Sequence, residues 1–180
     1  EAQVAFVNID GHDGLLYDGS YDKKVRDLFF QLIYQKGRVK NKSGAIVGVP
    51  GKKINTKVKK SELPIPSKVL LADQSNTSVL YDNRFFFKLY RSPEEGSNPE
   101  LEIIKTLTEN TTFRNFPTFT GALEYHKNDA ESSALGILVD FVPNEGNAWE
   151  LTQSAIDRYF DHIIGERSSL MTEIKDENVN

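Results

Sequence analysis

A lysine inside an aromatic run has the type and the setting to bind phosphate. The stretch FFFKLYR places Lys88 among apolar side chains, and a helix that begins soon after it carries Glu100 and Glu102 near its start. An ammonium group on a rigid strand can be aimed at phosphate oxygens, and a helix carboxylate can hold it in place. The competing interpretation is a solvated lysine on the outer face of an amphipathic strand.

The elements that must position this lysine follow from the spacing of apolar residues. The first part of the chain is predicted to contain a strand over 2–9, a helix from an N-cap at Ser20 to Lys36, and short basic strands over 44–60. A proline-containing link over 61–68 follows, and then a three-strand meander that ends at Arg91 and has a tight turn at Asp82 and Asn83. The remaining predicted elements are a helix capped by Asn98, strands over 119–125 and 134–142, and a helix over 149–164. This order predicts an α+β fold of antiparallel sheets with packed helices. We expect one sheet around the first strand and helix, and a second from the meander onward.

Composition narrows the class of protein. The chain has 180 residues, 38% of them hydrophobic, which is enough for one full core or two small ones. It contains no cysteine, so disulfides and cysteine-held metals are excluded and a cytoplasmic location is expected. No apolar run approaches the roughly 20 residues of a membrane span, which predicts a soluble protein without a membrane partner.

Positive charge is concentrated in one segment. Nine basic residues and no acidic one lie between Lys36 and Lys60. A solvated edge kept soluble by lysines is one interpretation, and docking to an acidic partner domain is the other. Nucleic acid is not an expected partner, because no stacking aromatics interleave with these charges.

Several stretches, taken in order, carry a family resemblance. A lysine strand, a helix with early glutamates and two further strands is the order found in the N-terminal lobe of kinase-like folds. The stretches DQSNTSVLYDNRFFFKLYR, EGSNPELEI, GALEY and LVDFVPNEGNAWELT resemble bacterial maltokinases, which are related to aminoglycoside phosphotransferases. GLLYDGSYDKKVRDLFFQLI and GRVKNKSGAIVG resemble the start of the maltokinase module of trehalose synthase–maltokinase fusion proteins.

The resemblance implies a set of nucleotide-binding positions. Lys88, on the third strand of the lobe, would bind the phosphates, and the family pattern makes Glu102 its partner on the helix. A helical wheel instead places Glu100 nearer the apolar stripe, so Glu100 is the alternative partner of Lys88. The other implied positions are a phosphate loop at Gln74, Ser75, Asn76, Thr77 and Ser78, and backbone contacts to adenine at Asp140 and Val142 in the inter-lobe link. This loop is not glycine-rich, unlike the loop of protein kinases.

The resemblance also implies a division of the chain and a reaction. Residues 1–66 would form a cap subdomain, 67–165 a kinase-like N-lobe, and 166–180 a disordered tail. The parent enzyme would convert maltose and ATP, with Mg²⁺, to maltose 1-phosphate in trehalose and glycogen metabolism. The basic segment is then a candidate contact with an amylase-like trehalose synthase domain.

The catalytic base and the metal carboxylates of such an enzyme belong to a C-terminal lobe. None of His12, His126 and His162 lies in a catalytic-loop pattern. We therefore expect a fragment or a natural split that is inactive alone, with no catalytic or metal-binding residue of its own. The alternatives are a non-catalytic α+β binding or scaffolding module and the N-lobe of a kinase for another small molecule.

Overall fold

The computed structural model describes residues 2–70, 76–128 and 131–177, with side chains up to residue 165. Two compact units, Glu1–Val142 and Pro143–Asn180, divide the chain. The strands are β1 (Gln3–Ile9), β2 (His12–Tyr17), β3 (Arg38–Lys40), β4 (Gly44–Pro50), β5 (Ser67–Leu70), β6 (Asn76–Tyr81), β7 (Phe85–Tyr90), β8 (Phe119–Lys127) and β9 (Ser133–Asp140). The helices are α1 (Lys23–Gln35), α2 (Ile54–Lys57), α3 (Pro99–Asn110) and α4 (Ala148–Glu177).

The first unit is built on a seven-stranded antiparallel sheet with the strand order β3-β4-β8-β9-β7-β6-β5. Strands β1 and β2 form a separate antiparallel pair. The α+β class with antiparallel sheets and packed helices is therefore confirmed. The expected grouping of strands differs, because α1 packs on the large sheet rather than forming a core with the first strand.

The large sheet contains strands from both sides of the link at 61–68. Strands β3 and β4 precede that link, yet β4 pairs with β8 from Gly44 opposite Lys127 to Pro50 opposite Gly121. Backbone hydrogen bonding is thus continuous between the two parts of the chain that were assigned to a cap and a lobe. The division at residue 66 stays a prediction.

Side chains along β7 alternate between the two faces of the large sheet, and both faces carry hydrophobic clusters. Phe85 and Phe87 are buried on the α1 side, where they pack with Phe30 and Ile33. Phe86 and Tyr90 lie on the other side, in a second cluster with Leu101 and Ile104 of α3 and with Phe119 and Val139. Because side chains alternate across a strand, Lys88 is on this α3 side.

Close approach of α1 to the sheet depends on Gly48 of β4. A Cβ at this position would lie 1.9 Å from the Leu32 carbonyl oxygen, so the helix backbone sits where any side chain would be. Asp22, and not Ser20, caps α1 by accepting from the Lys24 backbone N–H. Ser20 instead belongs to a preceding 3-10 turn, and its own N–H is bonded to Asp18.

Local signals elsewhere are confirmed at the residue level. Asp82 and Asn83 both have positive φ in the turn between β6 and β7, as a two-residue hairpin turn requires. The Asn98 side chain accepts from the Leu101 N–H, and Pro99 is the first residue of α3.

The last helix is longer than its sequence pattern predicts. Helix α4 continues past Gly165 to Glu177, where we expected an end near Ile164 and a disordered tail. A glycine inside a helix costs about 1 kcal/mol relative to alanine, which is too little to end a helix by itself. Within the described residues, no helix is long and apolar enough to cross a membrane.

Candidate functional site

Lys88 lies on β7, an interior strand of the large sheet next to the central strand β9. It is opposite Ser78 of β6 and Ile137 of β9, so its backbone position is set by pairing on both sides. Its side chain is only 26% exposed. Pairing on both sides restricts the directions that the ammonium group can take, so Lys88 is not a freely solvated lysine on the outer face of a strand.

Glu100 is the residue that holds this ammonium group. The Lys88 Nζ atom lies 3.0 Å from Glu100 Oε2 and 3.3 Å from Oε1, across the gap between β7 and the first turn of α3. The Tyr90 hydroxyl donates to the same Oε2 atom at 3.0 Å, and the Lys88 Nζ lies 5.7 Å from the centre of the Tyr90 ring. We call Lys88, Tyr90 and Glu100 the Lys88 cluster.

The expectation that Glu102 is the lysine's partner is therefore wrong. Glu102 accepts a hydrogen bond from the Ser97 hydroxyl at 2.6 Å and is exposed. Two positions along a helix correspond to a rotation of about 200°, so only one of the two glutamates can face the sheet. Leu101 and Ile104 pack on the sheet, and Glu100 shares a face with Ile104 at i, i+4, as the helical wheel indicated.

Tyr90 keeps its proton in this setting. Burial, together with the neighbouring Glu100 carboxylate and the hydrogen bond to it, raises the pKa of the Tyr90 hydroxyl well above its ordinary value of 10.0. A neutral phenol donates to the carboxylate without competing with Lys88 for negative charge. The cluster therefore presents one ammonium group held by one carboxylate.

The predicted phosphate loop begins a strand in the structure. Asn76, Thr77 and Ser78 open β6, and Thr77 and Ser78 are buried. Ser78 shares a face with Lys88, whereas the Thr77 hydroxyl is on the opposite face and accepts from Arg91 Nε at 3.2 Å. Gln74 and Ser75 lie outside the described residues, so their predicted role stays a prediction.

Asp140 and Val142 lie at and just beyond the end of β9. The Asp140 backbone N–H donates to the Thr118 carbonyl oxygen at 2.9 Å, and the next residue, Phe141, donates to the Arg84 carbonyl. Val142 is 52% exposed. The Asp140 side chain is on the face opposite to Lys88, because Val139, next to it, belongs to the α3 side.

A second lysine is bound to Asp140. Lys57, the last residue of α2, places its Nζ atom 2.5 Å from Asp140 Oδ1 and 2.7 Å from Oδ2. The same ammonium group reaches the hydroxyl oxygens of Thr120 at 3.1 Å and Thr118 at 3.3 Å, and both hydroxyls donate to the Asp140 carboxylate. We call these four residues the Lys57 cluster.

Electrostatics of the Lys57 cluster favour the ionised carboxylate. Burial would raise the pKa of Asp140, but hydrogen bonds from Lys57, Thr118 and Thr120 and the lysine charge outweigh it and lower the pKa below its ordinary value of 3.8. The carboxylate therefore stays charged at neutral pH, and its oxygens are occupied by donors. This arrangement is suited to holding two parts of the chain together rather than to proton transfer.

The Lys57 cluster was not predicted from the sequence. Lys57 belongs to the basic segment, which was interpreted as a solvated or docking surface, and Asp140 was assigned only a backbone role. The available signal was the alternating hydroxyls of PTFT, which begin a buried strand and would need partners there. Within the described residues, no group of three or more His, Asp or Glu side chains is arranged to hold a metal ion.

A comparison with known protein families does not assign this site. No protein-family model matches the sequence.

Proposed function

We propose that the chain is the nucleotide-binding, N-terminal portion of an ATP-dependent small-molecule kinase. The observation that carries this proposal is the ion pair between Lys88 on the third strand of a five-strand segment and Glu100 in the first turn of the following helix. In kinases a strand lysine contacts the nucleotide phosphates and is held by a helix glutamate, and both must be in place for phosphoryl transfer.

The chemistry of the Lys88 cluster fits this role. An ammonium group neutralises phosphate charge without needing a fixed approach angle, since lysine acts as a point charge with three donors. Glu100 attracts the Lys88 ammonium group toward α3 and so limits the rotamers of Lys88. Tyr90 donates a hydrogen bond to one of the Glu100 carboxylate oxygens. A phosphate group would bind at the open side of the ammonium, on the face that also carries Ser78.

We further propose maltose as the acceptor sugar and Mg²⁺ as the metal ion, on the sequence resemblance to maltokinases. The ligands of the ion and the base that accepts the sugar proton would come from a C-terminal lobe. Residues 1–66 would then contact that enzyme's amylase-like trehalose synthase domain, and the activity would be cytoplasmic. The residues proposed to contact the phosphates and the adenine, however, all lie in this chain.

Titration of this chain with ATP and Mg²⁺ by isothermal calorimetry tests the nucleotide site. We expect binding in the wild type and a rise in Kd of at least tenfold in Lys88→Ala. Lys127→Ala is the matched control, because Lys127 is an exposed lysine at the end of β8 and the change removes the same charge. Its Kd should equal that of the wild type.

Absence of ATP binding up to millimolar concentration, or equal affinity in Lys88→Ala, would overturn the nucleotide proposal and favour a non-catalytic binding or scaffolding module. The sugar is tested in the full-length protein that contains this chain. Formation of maltose 1-phosphate from maltose, ATP and Mg²⁺, and its loss in Lys88→Ala, would support maltose. Product with another sugar only would identify a different kinase.

A further inference from the structure

A basic cavity lies beside the Lys57 cluster, away from Lys88 and Glu100. Its volume is about 430 Å³. The lining residues come from the 52–57 segment, the end of α3, the loop after it, and the ends of β8 and β9: Lys52, Lys53, Lys57, Thr108, Glu109, Thr111, Arg114, Thr118, Phe119 and Asp140. Its size is within the usual range of small-ligand sites, roughly 300–1,000 Å³.

Two cationic side chains of this cavity have no carboxylate beside them among the described residues. Asp140 is occupied by Lys57, and Glu109 lies 3.4 Å from the Lys52 ammonium. In the part of the chain that the structure describes, Lys53 and Arg114 have no carboxylate partner. Arg114 donates to the backbone carbonyls of Thr111 and Phe113.

One threonine hydroxyl adds a donor to this basic lining. Thr108 Oγ1 accepts from the Phe119 N–H at 2.8 Å, and a hydroxyl that accepts one hydrogen bond can still donate its own proton. The other two lining hydroxyls are already used as donors, since Thr111 donates to the Leu107 carbonyl and Thr118 to Asp140. Lys53, Arg114 and the Thr108 hydroxyl together can donate to the acceptor oxygens of a phosphate monoester.

The same lining disfavours a nucleic acid. Phe119, the single aromatic residue among those that line the cavity, is 3% exposed, so it offers no face on which a base can stack. A phosphate monoester carries a charge of about −1.5 to −2 at neutral pH, which balances two cations, whereas a monocarboxylate balances only one.

We propose that this cavity binds a small phosphorylated metabolite, with Lys53 and Arg114 as the residues that contact the phosphoryl group. The proposal does not rest on the kinase function, because Lys53 and Arg114 belong neither to the Lys88 cluster nor to the predicted nucleotide-binding positions. Bound there, the ligand would contact the Lys57 cluster and the end of β9, and so it would stabilise the junction between the 52–57 segment and the large sheet.

The test uses this chain and two probes, inorganic phosphate and glucose 6-phosphate, at constant ionic strength set with chloride. Amide chemical shifts in heteronuclear NMR titrations report both the affinity and the location. We expect saturable shifts at residues 52–57 and 108–118. Lys53→Ala/Arg114→Ala should raise the Kd at least tenfold, since neither side chain has an ion pair whose loss would affect folding.

Lys40→Ala/Lys42→Ala is the matched control, because it removes two exposed charges from the same basic segment. Unchanged affinity in this control would support the site. An equal loss in both double variants, or shifts that do not saturate, would reduce the effect to general charge attraction and overturn the proposal. In Lys88→Ala, phosphate binding at the cavity should persist, which separates this test from that of the ATP site.

Discussion

Both lysine clusters contain a lysine–carboxylate ion pair, but the partners are separated by very different distances along the chain. Lys88 and Glu100 are 12 residues apart, on a strand and the helix that follows it. Lys57 and Asp140 are 83 residues apart, and strand pairing brings them together. The two lysine side chains are about equally buried, at 26% and 25% exposed, but the carboxylates differ. Glu100 accepts from Lys88 and Tyr90, whereas Asp140 accepts from Lys57 and from two threonine hydroxyls. We therefore expect a structural role for the Lys57 pair, and the proposed nucleotide site assigns a binding role to the Lys88 pair.

The largest expected change in stability comes from replacing Lys57 in the Lys57 cluster. Lys57→Met leaves a half-buried Asp140 carboxylate without its cation, and we expect a loss of about 2 kcal/mol in the free energy of unfolding. Lys88→Met should cost less than about 1 kcal/mol, because Glu100, near the exposed start of α3, can turn toward water. Urea denaturation of both variants, with Lys40→Met as a surface control, measures the difference. Equal losses would show that the two clusters do not differ in role.

Acid titration separates the clusters by a smaller effect. The lowered pKa of Asp140 means that its contribution to stability is fully present above the ordinary pKa of 3.8 and is lost as the pH falls through the lower, folded-state value. The wild type should therefore lose its advantage over Asp140→Asn as the pH is decreased from about 5. Thermal unfolding at several pH values measures this, with Asp10→Asn as the control for one exposed carboxylate. A constant difference between wild type and Asp140→Asn would contradict the assignment.

Ligand binding should distinguish the two glutamates of α3. Glu100→Gln keeps the shape of the side chain but removes the charge that orients Lys88, so we expect ATP affinity to fall about three- to tenfold, or roughly 0.7–1.4 kcal/mol. Glu102→Gln removes the same charge from a residue that contacts Ser97 and should leave the affinity unchanged. Calorimetric titration measures both. A larger effect from Glu102→Gln would restore the partner that the family pattern suggested.

The smallest expected effect concerns the hydroxyl of Tyr90. Tyr90→Phe removes one hydrogen bond to Glu100 while keeping the ring beside Lys88, and we expect a stability loss of about 0.5–1 kcal/mol. In the Glu100→Gln background the loss should be smaller, because the charged acceptor is already absent. A double-mutant cycle from urea denaturation measures this coupling. Additive losses would show that the tyrosine acts independently of the carboxylate.

Prediction from sequence succeeded where neighbours in the chain decide the structure. The Asn98 cap, the Asp82–Asn83 turn and the position of Lys88 in a strand each depend on a few adjacent residues, and each is found in the structure. The choice between Glu100 and Glu102 was also available from helical spacing, which favoured Glu100. Preferring the family pattern over that spacing produced the error.

Sequence alone determined the α+β class, most of the elements and the placement of Lys88 on a strand that is followed by a helix with two early glutamates, because side-chain periodicity and capping are local. Only the tertiary structure decided that β4 pairs with β8 and β8 with β9. That register brings Pro50 opposite Gly121 and places α2 beside Thr118, Thr120 and Asp140. A lysine of the basic segment therefore forms a part-buried ion pair with Asp140. The physical reason is that strand pairing depends on contacts between residues far apart in the chain, which no short sequence pattern records.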